Sequence, residues 1–261
     1  MKRIIIFIYG IVGYLSFVIA TLYAIGFLNN IVVPTGVEKG ALRPFLVALI
    51  IDVGLIALFG LAHSVMARGR FKAWWTRIIP QAAERSTYVL QSSLLLLLIF
   101  WFWQPIPTMV WSVDGGYGRF ALQAIQGLGW VIAILATFLI NHFELTGLQH
   151  VFHNLRHTKP GSARFVNPFL YKVVRHPLQL GLLIAFWVTP ELSVGHFIFA
   201  ATMTVYILIG LYFEERDLQK LFGAEYVVYQ RTTPKLLPHP FKHGMQRNHA
   251  AQVTEIRHEA K

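Results

Sequence analysis

The chain has 261 residues, of which 55% are apolar and only 13% charged, with a net charge of +11 and no cysteine. A soluble domain carries roughly 25% charged residues, so the polar surface needed to cover one large core is missing. Disorder, a collagen-like repeat, a disulfide scaffold, a Cys-ligated metal and a Cys nucleophile are excluded.

The apolar residues fall in long runs, and a helix needs about 20 of them to cross the hydrocarbon core. Residues 4–28 form the first run, behind Lys2 and Arg3. It is too long for a signal-peptide core and no small-residue cleavage site follows, so it reads as a retained span. Residues 44–67 form the second and carry Asp52 and His63 on one helix face. Residues 88–103 form the third, closed by Pro105, and residues 120–141 the fourth. Residues 178–188 and 195–213 are separated by Thr189-Pro190-Glu191, a turn signal, and read as a tight helical hairpin. Its first arm is short unless it begins before Pro177. The sequence therefore predicts an all-α integral membrane protein with about five to six transmembrane helices, including that C-terminal hairpin. One domain covers residues 1–243, and residues 244–261 form a polar, basic tail.

The charge follows this layout. With the N-terminus in the cytoplasm, 20 of the 23 Lys and Arg fall on the cytoplasmic side, leaving Lys39, Arg43 and Arg119 on the other. The positive-inside rule predicts that bias, and it places both termini in the cytoplasm. The charge is thus explained by topology and by attraction to anionic membrane lipid. No nucleic-acid motif is present, and nucleic acid is not an expected partner. The sequence assigns no oligomeric state.

Three cytoplasmic segments carry chemistry. Arg175-His176-Pro177-Leu178-Gln179-Leu180-Gly181 enters the hairpin and Glu214-Glu215-Arg216-Asp217-Leu218 leaves it. A hairpin brings its ends together, so Arg175 and His176 are expected beside Glu214 and Glu215. Single charges at a membrane boundary act as stop signals, but four at one hairpin base point further. Adjacent carboxylates repel, so one of them needs a partner. The third segment, residues 221–234, starts as a helix and breaks at Gly223. Tyr226 and Tyr229 lie one turn apart there, as interfacial anchors or as site residues.

Other polar groups stand nearby. Asn141, His142 and Glu144 end the fourth span, as a helix cap or as a base (His142 or Glu144) oriented by Asn141. Asp52 is expected to bond between helices, and both a structural and a functional reading stand for His63. His150, His153 and His157 have a spacing that a helix turns one way, as in a metal site. With no adjacent His pair and with Pro160-Gly161 ending the helix, no metal is expected.

Arg175-His176-Pro177-x-x-x-Gly181, Glu214-Glu215-x-x-Leu218, Phe222-Gly223-x-x-Tyr226-x-x-Tyr229, Pro234 and Pro238 together resemble the isoprenylcysteine carboxyl methyltransferase-like superfamily of membrane methyltransferases. That superfamily often has Tyr where Gln179 stands, which points to a different substrate. Asn141-His142-Phe143-Glu144-Leu145-Thr146-Gly147-Leu148-Gln149, Arg85-Ser86-Thr87-Tyr88-Val89-Leu90 and His63-Ser64-x-Met66-Ala67 resemble, within it, the bacterial methanethiol S-methyltransferases. The resemblance implies a bacterial inner membrane, S-adenosylmethionine as donor, a small apolar thiol (methanethiol) as acceptor, and dimethyl sulfide as product. It implies a cytoplasmic donor pocket built from Arg175, His176, Pro177, Leu178, Gln179, Gly181, Glu214, Glu215 and Tyr229. Arg175 would pair with the donor carboxylate, and Glu214 or Glu215 with ribose hydroxyls or the amino group. His176 and Tyr229 would hydrogen-bond the donor, and Gly181 would allow a close backbone approach. His142, Glu144 and Asn141 would serve the acceptor. Other acceptors (another thiol, a lipid, a prenylated cysteine) remain open, as does a non-enzymatic protein related to a denitrification-associated membrane family.

Overall fold

Five helices are long and apolar enough to span a bilayer, and they account for most of a computed structural model that describes residues 1–158, 161 and 165–238. They are α1 (Lys2–Asn29), α2 (Phe45–Ala67), a short basic α3 (Gly69–Trp75) that does not span, α4 (Glu84–Phe102) and α5 (Gly116–Ile140). Next come α6 (His142–Leu145), α7 (Leu148–Arg156), α8 (Leu170–Val173) and α9 (Pro177–Trp187), and then the fifth long helix, α10 (Val194–Phe222), followed by α11 (Ala224–Thr232). Exposed Ile, Leu, Val and Phe side chains ring the long helices, as a lipid-facing surface requires. The predicted tail at 244–261 lies outside the described residues.

Neighbouring spans pack through small residues. On α5 and α9, a Cβ at Gly181 would stand 2.5 Å from the backbone of Ala133 and of Gly129, and one at Gly129 would stand 2.7 Å from the Gly181 carbonyl. Gly129 and Ala133 thus face Gly181 and Ala185, the small-residue pattern that lets membrane helices approach backbone to backbone. On α1, Gly13 lies against Ser86 of α4 and Gly10 against Val151 of α7. Phe27, Ile56, Phe100, Trp103, Phe186 and Phe199 close the apolar core between the spans.

The hairpin is lopsided. α9 begins at Pro177, in the first-turn position that proline favours, so the first arm does not start earlier. Its 11 residues rise about 16 Å at 1.5 Å each, half of the bilayer core. The residues that follow, 188–193, are extended backbone. Inside a membrane such backbone must find partners within the protein, and it does. β2 (Glu191–Ser193) pairs antiparallel with β1 (Met109–Ser112) from the α4–α5 connection. Val113 N donates to the Pro190 carbonyl at 2.9 Å, Val194 N to Thr108 at 2.7 Å and Gly195 N to Ile106 at 3.0 Å. Open carbonyls at the end of α9 are capped by side chains: Gln126 donates to Ala185 at 3.2 Å and His196 Nε2 to Phe186 at 2.9 Å. This short strand pair aside, the fold is the helical one that the sequence predicts.

Asp52 sits buried on α2 and accepts from the Gln104 backbone N–H at 2.8 Å, just beyond the end of α4. It is the bond between elements expected of it.

Candidate functional site at the base of the hairpin

The hairpin base gathers the groups its sequence predicts. Residues 174–176 lie alongside the chain after α11, with Arg175 N donating to the Pro234 carbonyl at 2.9 Å and His176 N to Lys235 at 3.2 Å. This local pairing fixes both side chains. Arg175 donates through Nε to Glu215 Oε1 at 2.8 Å, and its third nitrogen lies 2.7 Å from the same oxygen. Its remaining nitrogen caps the end of α11 on the carbonyls of Gln230, at 2.8 Å, and Thr233, at 2.5 Å. All three guanidinium nitrogens have protein partners.

Glu215 is held on both oxygens. His176 Nε2 lies 3.1 Å from Oε1, and Lys235 Nζ 3.2 Å from Oε2. Glu214 differs. Its carboxylate faces His176 Nδ1 at 4.0 Å and Gln179 Nε2 at a long 3.5 Å, and 48% of its side chain is open. Charges on several elements reach it, including Arg85 of α4 and Lys235. Its carboxylate oxygens are thus the least occupied of the cluster. His176 itself is buried, and burial holds its imidazole below the ordinary range. It is neutral near pH 7, with Nε2–H donated to Glu215 and the Nδ1 lone pair turned toward Glu214.

Aromatic rings close one side. Tyr226 and Tyr229 are both buried, with Phe165 edge-on to each. Tyr229 donates to the Tyr171 carbonyl at 2.5 Å, whereas the buried Tyr226 hydroxyl has no hydrogen-bond partner among the described residues. Burial pushes both hydroxyls well up, so both keep their protons. Pro177 is buried, and Leu178 and Gln179 make the half-buried first turn of α9. Gly181 faces α5, and the close approach it permits is helix on helix.

Asn141, His142 and Glu144 form a separate unit. Asn141 accepts from Glu144 N at 3.1 Å and donates to its carboxylate at 3.0 Å and to Gln149 at 2.6 Å, a reciprocal cap on α6. His142 is buried, stacked on Phe138 at 4.1 Å, with Thr137 2.8 Å from Nδ1 and Tyr14 3.3 Å from Nε2. Both ring nitrogens have partners, and no hydrogen bond or ion pair among the described residues joins this unit to the hairpin base. His153 meets Thr158 at 2.6 Å, and His157 contacts Arg3.

Two participants had no site role in the sequence reading. Lys235 reaches Glu215 because Pro234 turns the chain back along Val174 and Arg175, which no periodicity announces. Arg85, read there only within the segment 85–90, donates through Nε to the Leu145 carbonyl at 2.8 Å, and its charge acts on Glu214.

Fold and site together define a helical integral membrane protein whose charged centre is sunk between helix ends at its basic face. No family model and no solved structure matches the chain. Curated relatives do. Methanethiol S-methyltransferase 2 of Bradyrhizobium diazoefficiens is 48% identical over 92% of each chain. The methanethiol S-methyltransferase of Crocosphaera subtropica is 44% identical over 91% of this chain and 93% of its own. That of Mycobacterium tuberculosis is 45% identical over 93% of this chain and 100% of its own. The chain belongs to the methanethiol S-methyltransferase family.

Proposed function

We propose that the chain methylates methanethiol to dimethyl sulfide with S-adenosylmethionine as donor, at a basic face on the cytoplasmic side of a bacterial inner membrane. The relatives' names support the acceptor. The open Glu214 carboxylate, beside the paired Arg175, Glu215 and Lys235, supports the donor. S-adenosylmethionine supplies a methyl group on a sulfonium that is its own leaving group, so the protein's work is chiefly alignment.

The residues present fit that donor. Glu214 has acceptor oxygens free for an ammonium or for ribose hydroxyls, and His176 Nδ1 stands beside it. The unpartnered Tyr226 hydroxyl is a buried polar atom of the kind that a bound group satisfies. Arg175 serves by fixing Glu215 and the end of α11. Lys235, with 36% of its side chain open, is the cation of the cluster left to face the donor carboxylate. Phe165 and Tyr229 wall the site from water.

Purified full-length protein in detergent, given labelled donor and methanethiol, is expected to release dimethyl sulfide into the headspace, one molecule per donor consumed. Methyl transfer only to a prenylated cysteine or a phospholipid, with no dimethyl sulfide, overturns the reading.

A further inference from the structure

A second polar cluster lies between the long helices α2, α4 and α10. His63, on α2, meets two side chains of α4: Ser92 Oγ lies 2.8 Å from Nδ1, and the Tyr88 hydroxyl contacts Nε2. Tyr206 of α10 stands edge-on to the His63 ring, 6.2 Å between centres. It fits there because Gly60 of α2 has no side chain; a Cβ would come 2.9 Å from the Tyr206 ring.

The hydrogen bonds settle the histidine tautomer. Ser92 donates its one hydroxyl proton to the Tyr88 carbonyl at 2.7 Å. Its oxygen can then only accept, so Nδ1 carries the imidazole proton. Nε2 is the bare nitrogen, and the Tyr88 hydroxyl donates to it. The ring is thus a base whose lone pair is aimed at a tyrosine.

That tyrosine faces the site already described. The Arg85 guanidinium lies 5.2 Å over the Tyr88 ring, and both groups feel the Glu214 charge. His63, Tyr88 and Tyr206 are each only half-buried. His63 nevertheless lies on the face of α2 opposite the lipid-exposed Leu58, Leu61 and Val65. These partly exposed polar rings on an inward face stand where a small apolar thiol could reach the Tyr88 hydroxyl.

We propose that His63 and Tyr88 are the proton-accepting pair of the thiol site, with Tyr88 the group that touches the thiol; this rests on the methanethiol reading above. The S–H bond breaks as its proton passes to the Tyr88 oxygen, and the former Tyr88 proton passes to His63 Nε2. The freed sulfur electron pair forms the new C–S bond and displaces the sulfonium sulfur, which keeps the pair of the old bond. The imidazolium then gives its proton to water. Arg85 stabilises the thiolate while it exists. The titratable and charged groups facing His63 are Tyr88 and Arg85 of α4, and Tyr206 and, beyond Tyr88, Glu214 of α10.

The test compares methanethiol with methaneselenol, which is similar in size but ionised near neutral pH and needs no base. In full-length enzyme, Tyr88→Phe and His63→Gln should each lower turnover of methanethiol about 100-fold, within the range of general-base losses. Each should cost less than about 10-fold on methaneselenol. Donor binding by calorimetry should be unchanged, and the variants' methanethiol rate should climb with pH more steeply than the wild type's. Equal losses on both acceptors, no loss on methanethiol, or loss of donor binding each overturn the proposal. Wild-type enzyme that binds the donor but makes no dimethyl sulfide is a different failure, that of the methanethiol reading itself.

Discussion

Arg175 and Glu215 stand 40 residues apart in sequence and pair at 2.7–2.8 Å, with only 10% and 13% of their side chains exposed. The pair ties the start of α9 to the basic end of α10, and the same arginine caps α11. One side chain thereby sets the relative position of three elements around His176.

Arg175→Ala removes the two nitrogens that converge on Glu215 Oε1, leaving it to His176 and Lys235, and uncaps α11. Removing one member of a buried ion pair costs about 3–5 kcal/mol. Thermal unfolding in detergent should show that loss, and Arg175→Lys should recover only part of it, because an ammonium cannot hold Glu215 and two carbonyls together. An Arg175→Ala protein as stable as wild type would remove Arg175 from the scaffold.

Glu214→Gln should behave in the opposite way. Glu214 makes one long hydrogen bond and is half open, so the fold keeps its stability within about 0.5 kcal/mol. Donor affinity should fall by about 1.5–3 kcal/mol, as for a lost charged hydrogen bond. Calorimetry with S-adenosylmethionine checks this, and unchanged affinity places the donor elsewhere.

The His176 imidazole titrates below its ordinary range because it is buried, while the unfolded chain titrates near 6.5. Between those two values the unfolded state binds more protons, so stability is full above about pH 6.5 and falls as pH drops below it. His142 and His150, also lowered by burial, add to the same slope, so the check is a difference. His176→Gln should flatten the fall of unfolding free energy between about pH 7 and about pH 5.5, by at most about 1.4 kcal/mol per pH unit. A slope equal to that of wild type sinks the assignment.

Orientation is open to reporter fusions. The basic bias places Asp114 and Gly115 outside and Gly161 inside. A fusion after Gly115 should be active only with a periplasmic reporter, and one after Gly161 only with a cytoplasmic reporter; the reverse pattern inverts the protein.

Much of this was readable beforehand for a physical reason. Apolar length alone marks the five long helices, and a hairpin brings its ends together whatever lies between, so Arg175 and His176 beside Glu214 and Glu215 followed from the run lengths. What escaped depends on tertiary partners. Residues 178–188 are apolar apart from Gln179, and such a run reads the same for a half helix as for a full one; β1, contributed from residues 109–112, pairs with the extended remainder. Asn141, His142 and Glu144 had two readings from their spacing, and Thr137, Phe138 and Tyr14 fill the surroundings of His142. Burial of that kind is invisible until the neighbours are known.

The half-length α9 bears on how the chain is made. Eleven residues are too few to be handed to the bilayer as an independent span, and the six residues after them carry open amide groups that lipid cannot satisfy. α9 therefore has to enter together with α10, as one re-entrant unit. Its strand partner and Gln126 are already present by then, because residues 109–126 leave the ribosome first. The earlier half of the protein acts as a template for the later half, and ribosome-bound chains stopped before α10 are left with a membrane segment that has nowhere to settle.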